Sequence, residues 1–106
     1  MATVHSRKSI TDIATKYADL LKEHINLHSL YVYGSHVNGT YREDSDIDIA
    51  VVADGFTGDL VDDTFKLMKI RRGVDIRIEP HPFIVEEFDE NNLMAKEVME
   101  TGIRIV

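Results

Sequence analysis

The chain has 106 residues, a length that fits a single domain with one hydrophobic core. Its 43% hydrophobic and 29% charged residues are typical of a soluble globular protein. The net charge of −7 argues against direct nucleic-acid binding, which needs a basic surface, and the lack of cysteine excludes disulfides and thiol chemistry. Residues 1–8 do not form a secretory signal and no apolar run has the length of a membrane helix, so we expect a cytoplasmic protein.

The first predicted elements are an amphipathic helix and a buried strand. Ser9 and Asp12 have the spacing of a capping box, and apolar residues recur at helical spacing behind them, which predicts a helix over residues 10–25. Residues 30–33 are apolar and β-prone, which predicts the first strand.

The segment that follows this strand has two interpretations. Asn38-Gly39 is the strongest short signal for a hairpin turn, and local propensity favours it. Alternatively, Ser35 begins a short helix over residues 36–41, whose free N–H groups would form an anion site. Gly34, without a side chain, would then let a triphosphate approach the backbone.

The second predicted strand, residues 46–52, carries two acidic residues with the same parity. Asp46 and Asp48 point to one face, because side chains alternate along a strand, and their Cα atoms would lie about 6.6 Å apart. This spacing suits carboxylates that hold one or two metal ions, which in two-metal sites lie about 3.5–4 Å apart.

The second half of the chain predicts a helix over residues 59–70 and a third strand over residues 74–79. Val74 to Glu79 alternates strictly, with Asp75, Arg77 and Glu79 on the polar face. Pro80-His81-Pro82 should close this strand, with His81 as a turn residue. A helical turn near residues 84–89, a helix over 92–100 and a short edge strand over 103–106 complete the order, which indicates a mixed sheet flanked by helices.

One combined motif resembles a known family. Gly34-Ser35, followed ten residues after Ser35 by Asp46-Ile47-Asp48, is similar to the signature of the polymerase-beta-like nucleotidyltransferases, and most similar to their minimal, single-domain branch (MNT proteins). Val37 stands where the family usually has a small residue. The resemblance covers nearly the whole chain and favours the short helix over the hairpin.

The resemblance implies a fold, a site and its cofactors. The fold would be a single domain over residues 1–106, α/β (α+β), with a mixed sheet of about four strands flanked by helices. The family places a third carboxylate on the strand beside Asp-x-Asp, which implies Asp75, with Glu79 as the alternative. Asp46, Asp48 and Asp75 would hold two Mg²⁺ ions, while Gly34 and Ser35 would bind the phosphates of ATP.

The resemblance also implies a function. Minimal nucleotidyltransferases are often paired with all-helical HEPN toxins, which they neutralise as antitoxins by transferring AMP from ATP to a toxin tyrosine. We therefore expect transfer of AMP to a hydroxyl of a partner protein. The alternatives are a non-catalytic module that binds a nucleotide or a partner, and nucleotidylation of a small molecule. The latter is disfavoured because 106 residues leave no separate acceptor domain.

Overall fold

The computed structural model describes residues 7–34 and 46–106. In chain order the elements are α1 (Arg7–Leu21), β1 (Asn26–Tyr33), β2 (Ile47–Asp54), α2 (Leu60–Arg71), β3 (Ile78–Ile84), a 3₁₀ turn (Val85–Glu87), α3 (Leu93–Thr101) and β4 (Ile103–Arg104). The predicted helix over 36–41, the alternative hairpin and Ser35 lie outside the described residues.

The strands of the described chain form one mixed sheet in the order β3-β2-β1-β4. β1 runs antiparallel to both β2 and β4, whereas β2 and β3 are parallel. The predicted mixed sheet of about four strands is therefore confirmed, as is the short last strand at one edge. No helix in the described ranges is both long and apolar enough to cross a membrane.

The larger part of the core lies between one face of the sheet and helices α1 and α2. Tyr17 of α1 is fully buried there, and its hydroxyl donates a hydrogen bond to the Leu67 carbonyl of α2 at 2.8 Å. The other buried side chains of this core come from α1 and from three strands: Ile10, Ala14, Ala18, Leu21, Leu30, Val32, Ile47, Ile49, Val51 and Ile78.

A smaller core lies on the opposite face of the sheet, under α3. Tyr31, Tyr33, Ala50 and Val98 are its buried members, and Phe83 and Phe88 pack against them. Helices on both faces confirm the predicted flanked sheet. Alternation along β2 places Asp48 on the same face as Ala50, so the acidic residues lie beside this smaller core.

The loop before α2 is held by a buried carboxylate. Asp63 is only 5% exposed, and it accepts hydrogen bonds from the N–H and hydroxyl of Thr57, both at 2.9 Å, and from the Gly58 N–H at 3.1 Å. Burial by itself would raise the pKa of Asp63, but these hydrogen bonds to the charged form give a net lowering.

The first helix differs from its predicted bounds at both ends. Since α1 begins at Arg7, Ser9 lies within the helix and does not precede it. The helix ends at Leu21, although the Ile25 N–H still donates to the Leu21 carbonyl at 2.9 Å in the turn that follows. Ile25 packs against the larger core from this turn, which explains why the apolar periodicity extends past the helix.

The predicted third strand over residues 74–79 is wrong. Its first residues form a turn, in which the Asp75 N–H donates to the Arg71 carbonyl at 2.9 Å. β3 begins at Ile78 and continues through Pro80 and Pro82, which were predicted to end it. Proline is tolerated because β3 lies at the edge of the sheet, where alternate amides need no strand partner.

Candidate metal and nucleotide site

Parallel pairing of β2 with β3 builds the site. The register sets Asp48 opposite Glu79 and Ala50 opposite His81. Because side chains alternate, Asp48, Glu79 and His81 all project from the same face of the sheet. The site therefore depends on two strands that are far apart in sequence.

Three potential ligands converge at this point. One carboxylate oxygen each from Asp48 and Glu79 and one ring nitrogen of His81 all lie within 4.8 Å of one another. His81 Nε2 is 3.3 Å from Asp48 Oδ1. The side chains of Asp48 and His81 are 29% and 32% exposed, and Glu79 is exposed, so a ligand has access.

Asp46 extends this cluster into a set of three carboxylates. Glu79, when protonated, donates a hydrogen bond to Asp46, and this bond is the main cause that raises the pKa of Glu79. Burial and the negative charges of Asp46 and Asp48 raise the pKa further, while His81 opposes them. A bound cation would offset this repulsion, and carboxylate oxygens are the ligands that Mg²⁺ prefers. The donor set therefore fits a divalent metal ion.

Gly34, at the end of β1, lies directly against this cluster. Its φ of +82° falls in the left-handed region that disfavours side chains. A Cβ atom at this position would overlap Asp48 Oδ2. The lack of a side chain thus leaves room for the Asp48 carboxylate.

The ring of Tyr33 packs against His81. Its ring centroid lies 5.6 Å from that of His81, and its buried hydroxyl has no hydrogen-bond partner within the described ranges. Burial, followed by the charges of Asp48, Glu79 and Glu97, raises the pKa of Tyr33, so the phenol stays neutral.

A cavity of about 660 Å³ opens next to the carboxylates. This volume lies within the range typical of small-molecule sites. Its lining combines Asp46, Glu79 and His81 with the apolar side chains Leu60, Met68, Pro80, Pro82, Phe83 and Met94, and with Thr64 and Arg71. The cavity can therefore accept a molecule with a charged end and an apolar part.

Not all predicted site residues meet here. Asp46 and Asp48 both lie near Glu79, and Gly34 lies against Asp48. Asp75, in contrast, lies in the turn before β3. Its carboxylate accepts hydrogen bonds from Arg77 Nε at 3.0 Å and Nη2 at 2.7 Å. The prediction that Asp75 lies on the strand next to Asp48 is wrong, because that strand begins only at Ile78.

Glu79, the alternative acid, occupies the position opposite Asp48. Sequence reasoning missed His81, which was assigned to a turn because prolines flank it. The signal that could have revealed it is Glu79-x-His81, which has the same two-residue spacing as Asp46-x-Asp48.

Comparison with known proteins identifies a family. The family model described as "Polymerase beta, Nucleotidyltransferase" matches residues 15–106. No curated protein gives a significant match.

Three solved structures show a similar fold. The first, described as a nucleotidyltransferase from Sulfolobus solfataricus, has a TM-score of 0.62 and 21% identity over 90% of this chain and 78% of its own. A toxin–antitoxin structure with AMP-PNP has a TM-score of 0.60 and 22% identity, and the match covers 87% of this chain and 72% of that one. A mutant of the toxin–antitoxin MntA–HpeT has a TM-score of 0.58 and 22% identity, and the match covers 88% of this chain and 72% of that one.

Proposed function

Because the chain belongs to the polymerase beta nucleotidyltransferase family, we propose that it transfers AMP from ATP to a hydroxyl group on a partner protein. The hydroxyl oxygen would form a bond to the α-phosphorus while the bond from that phosphorus to the bridging oxygen of the β-phosphate breaks. Pyrophosphate leaves, and the hydroxyl proton passes to a base. The reaction would take place in the cytoplasm.

The observation that carries this proposal is the convergence of Asp48 and Glu79 across paired strands, with Asp46 in contact with Glu79. Phosphoryl-type transfer requires positioning and charge neutralisation more than covalent chemistry by the protein. When bound, Mg²⁺ ions would neutralise charge on the triphosphate and lower the pKa of the attacking hydroxyl. Asp46, Asp48 and Glu79 are the residues that would hold them.

Glu79, the alternative acid, would take the role that the resemblance implied for Asp75. It lies opposite Asp48, among the other carboxylates, and a carboxylate can act as a general base. Asp75, by contrast, is engaged by Arg77. We therefore assign acceptance of the hydroxyl proton to Glu79, and structural support of the turn before β3 to Asp75.

Gly34 and Ser35 would bind the triphosphate, as predicted from the motif. This role is supported by Gly34, whose backbone has a positive φ and lies next to the Asp48 carboxylate. The Gly34 N–H would be a donor to a phosphate oxygen. Ser35 follows directly in the sequence, and its hydroxyl is a suitable donor to a phosphate oxygen.

The nature of the acceptor is supported by the structural neighbours. Two proteins of the same fold are toxin–antitoxin assemblies, and one of them was solved with AMP-PNP, an analogue of ATP. We therefore propose a HEPN-family toxin as the acceptor, with this chain as its antitoxin.

The test is incubation of the purified chain with ATP, Mg²⁺ and the product of the adjacent reading frame. We expect pyrophosphate release and a mass gain of one or more AMP units on the partner. Glu79→Gln should abolish both, whereas Asp75→Asn, the matched control acid, should retain transfer once folding is verified by circular dichroism. If wild type and Glu79→Gln neutralise the partner equally without an adduct, the chain is a non-catalytic binding module. If Asp75→Asn alone abolishes transfer, the assignment of Glu79 is refuted.

A further inference from the structure

We propose that His81 is a direct ligand of the cation held by Asp48 and Glu79, so that the centre is a mixed imidazole–carboxylate site that prefers Mn²⁺ to Mg²⁺. This inference rests on the proposed function, since it concerns the same metal centre. It adds a nitrogen donor to a site for which the sequence predicted carboxylates alone.

The distances between the donor atoms are slightly longer than those within a single coordination sphere. Two neighbouring ligands of an octahedral ion, each about 2.1 Å from the metal, lie about 3.0 Å apart, and two opposite ligands lie about 4.2 Å apart. His81 Nε2 and Asp48 Oδ1 are separated by 3.3 Å, and the set that includes Glu79 spans no more than 4.8 Å. Small side-chain movements would therefore bring all three atoms onto one ion.

The fold also fixes the orientation of the His81 ring. His81 lies within β3, opposite Ala50, so its backbone is fixed by the parallel pairing. The ring packs against Tyr33, with centroids 5.6 Å apart, and two-thirds of the side chain is covered. A ligand whose ring is already oriented loses little conformational freedom when a metal binds.

The donor type determines which cation is favoured. Mg²⁺ selects oxygen ligands and retains several waters, whereas imidazole suits several first-row transition metals, whose affinity for a given nitrogen and oxygen site rises from Mn²⁺ to Cu²⁺. Mn²⁺ shares the octahedral oxygen coordination of Mg²⁺ and, as a first-row transition ion, also belongs to the affinity series for nitrogen and oxygen sites. The histidine should therefore shift the preference from Mg²⁺ towards Mn²⁺.

The test uses Mn²⁺ alone, without nucleotide or partner. Pulsed electron paramagnetic resonance of Mn²⁺ bound to the wild-type protein should show a ¹⁴N coupling from a directly bound imidazole. His81→Gln retains a hydrogen-bond donor near Asp48 but removes the ring nitrogen. In this variant we expect the coupling to vanish and the Kd for Mn²⁺ to rise at least about tenfold. The Kd for Mg²⁺ should rise less. His28→Gln, which changes a histidine near the start of β1, should leave the spectrum and both affinities unchanged.

Each outcome separates this inference from the proposed function. Bound Mn²⁺ without ¹⁴N coupling in wild type, or equal Mn²⁺ affinity in His81→Gln, overturns the histidine ligand and leaves the carboxylate site intact. Failure of wild type to bind any divalent cation, with or without ATP, contradicts the proposed function itself. If His81→Gln does not fold, as judged by circular dichroism, the presence or absence of ¹⁴N coupling in wild type alone decides the question.

Discussion

Replacing Gly34 with alanine should separate the cost of a strained backbone from the loss of the metal site. Gly34 has φ +82°, and an alanine in the left-handed region costs about 1–2 kcal/mol. The new Cβ would also overlap Asp48 Oδ2, so the carboxylate must move away from it. Forcing that side chain off its rotamer adds about 0.5–1.5 kcal/mol. We therefore expect the free energy of unfolding to fall by about 1.5–3.5 kcal/mol.

The chain provides a matched control for this experiment. Gly55 has a similar φ of +90°, but a Cβ atom there would meet no atom within 4 Å. Gly55→Ala should therefore lose only the backbone contribution of about 1–2 kcal/mol. Most domains, which are stable by about 5–15 kcal/mol, remain folded after either change.

Urea unfolding and calorimetric titration with Mn²⁺ measure the two effects separately. Gly34→Ala should weaken cation binding at least about tenfold, equivalent to about 1.4 kcal/mol, because Asp48 is displaced from its partners. Gly55→Ala should bind the cation as wild type does. The reasoning is refuted if Gly34→Ala binds with unchanged affinity, or if both variants lose affinity to the same extent.

Two further predictions concern stability. Asp63→Asn should lower the free energy of unfolding by about 1.5–3 kcal/mol at pH 7, because the charged carboxylate accepts three hydrogen bonds from Thr57 and Gly58. Since folding lowers the pKa of Asp63, this stabilisation is present above its ordinary pKa of about 4 and is lost as the pH falls through the lower folded value. If the difference in unfolding free energy between wild type and Asp63→Asn does not shrink on acidification, the assignment is contradicted. Tyr17→Phe removes the hydrogen bond to the Leu67 carbonyl and should cost about 0.5–1.5 kcal/mol in urea unfolding, whereas unchanged stability would show that this bond contributes nothing net.

The acidic pair at the start of β2 could be predicted because its pattern is local. Asp46 and Asp48 precede and enter an apolar strand, so strand periodicity alone places them on one face. Their family resemblance then indicated the fold, which the structure confirms.

The third acid could not be predicted in the same way. Both Asp75 and Glu79 lie in an alternating stretch, and alternation continues through the turn as readily as through the strand. Only the register between β2 and β3, which sets Glu79 opposite Asp48, distinguishes them. The hydrophobic pattern limits the register to one parity, but Asp75 and Glu79 share that parity, so the pattern alone cannot choose between them.

Two prolines also determine how other chains can reach the edge of the sheet at β3. The Ile47 N–H donates to the Arg77 carbonyl across the β2–β3 ladder, so the amides of residues 79 and 81 face β2 and those of residues 80 and 82 face outwards. Pro80 and Pro82 occupy these outward positions, and proline has no amide hydrogen. A foreign strand therefore finds no donors there with which to extend the sheet, which protects the edge from strand-to-strand aggregation. A partner protein that approaches the carboxylates from this side therefore cannot add a strand that accepts hydrogen bonds from residues 80 and 82.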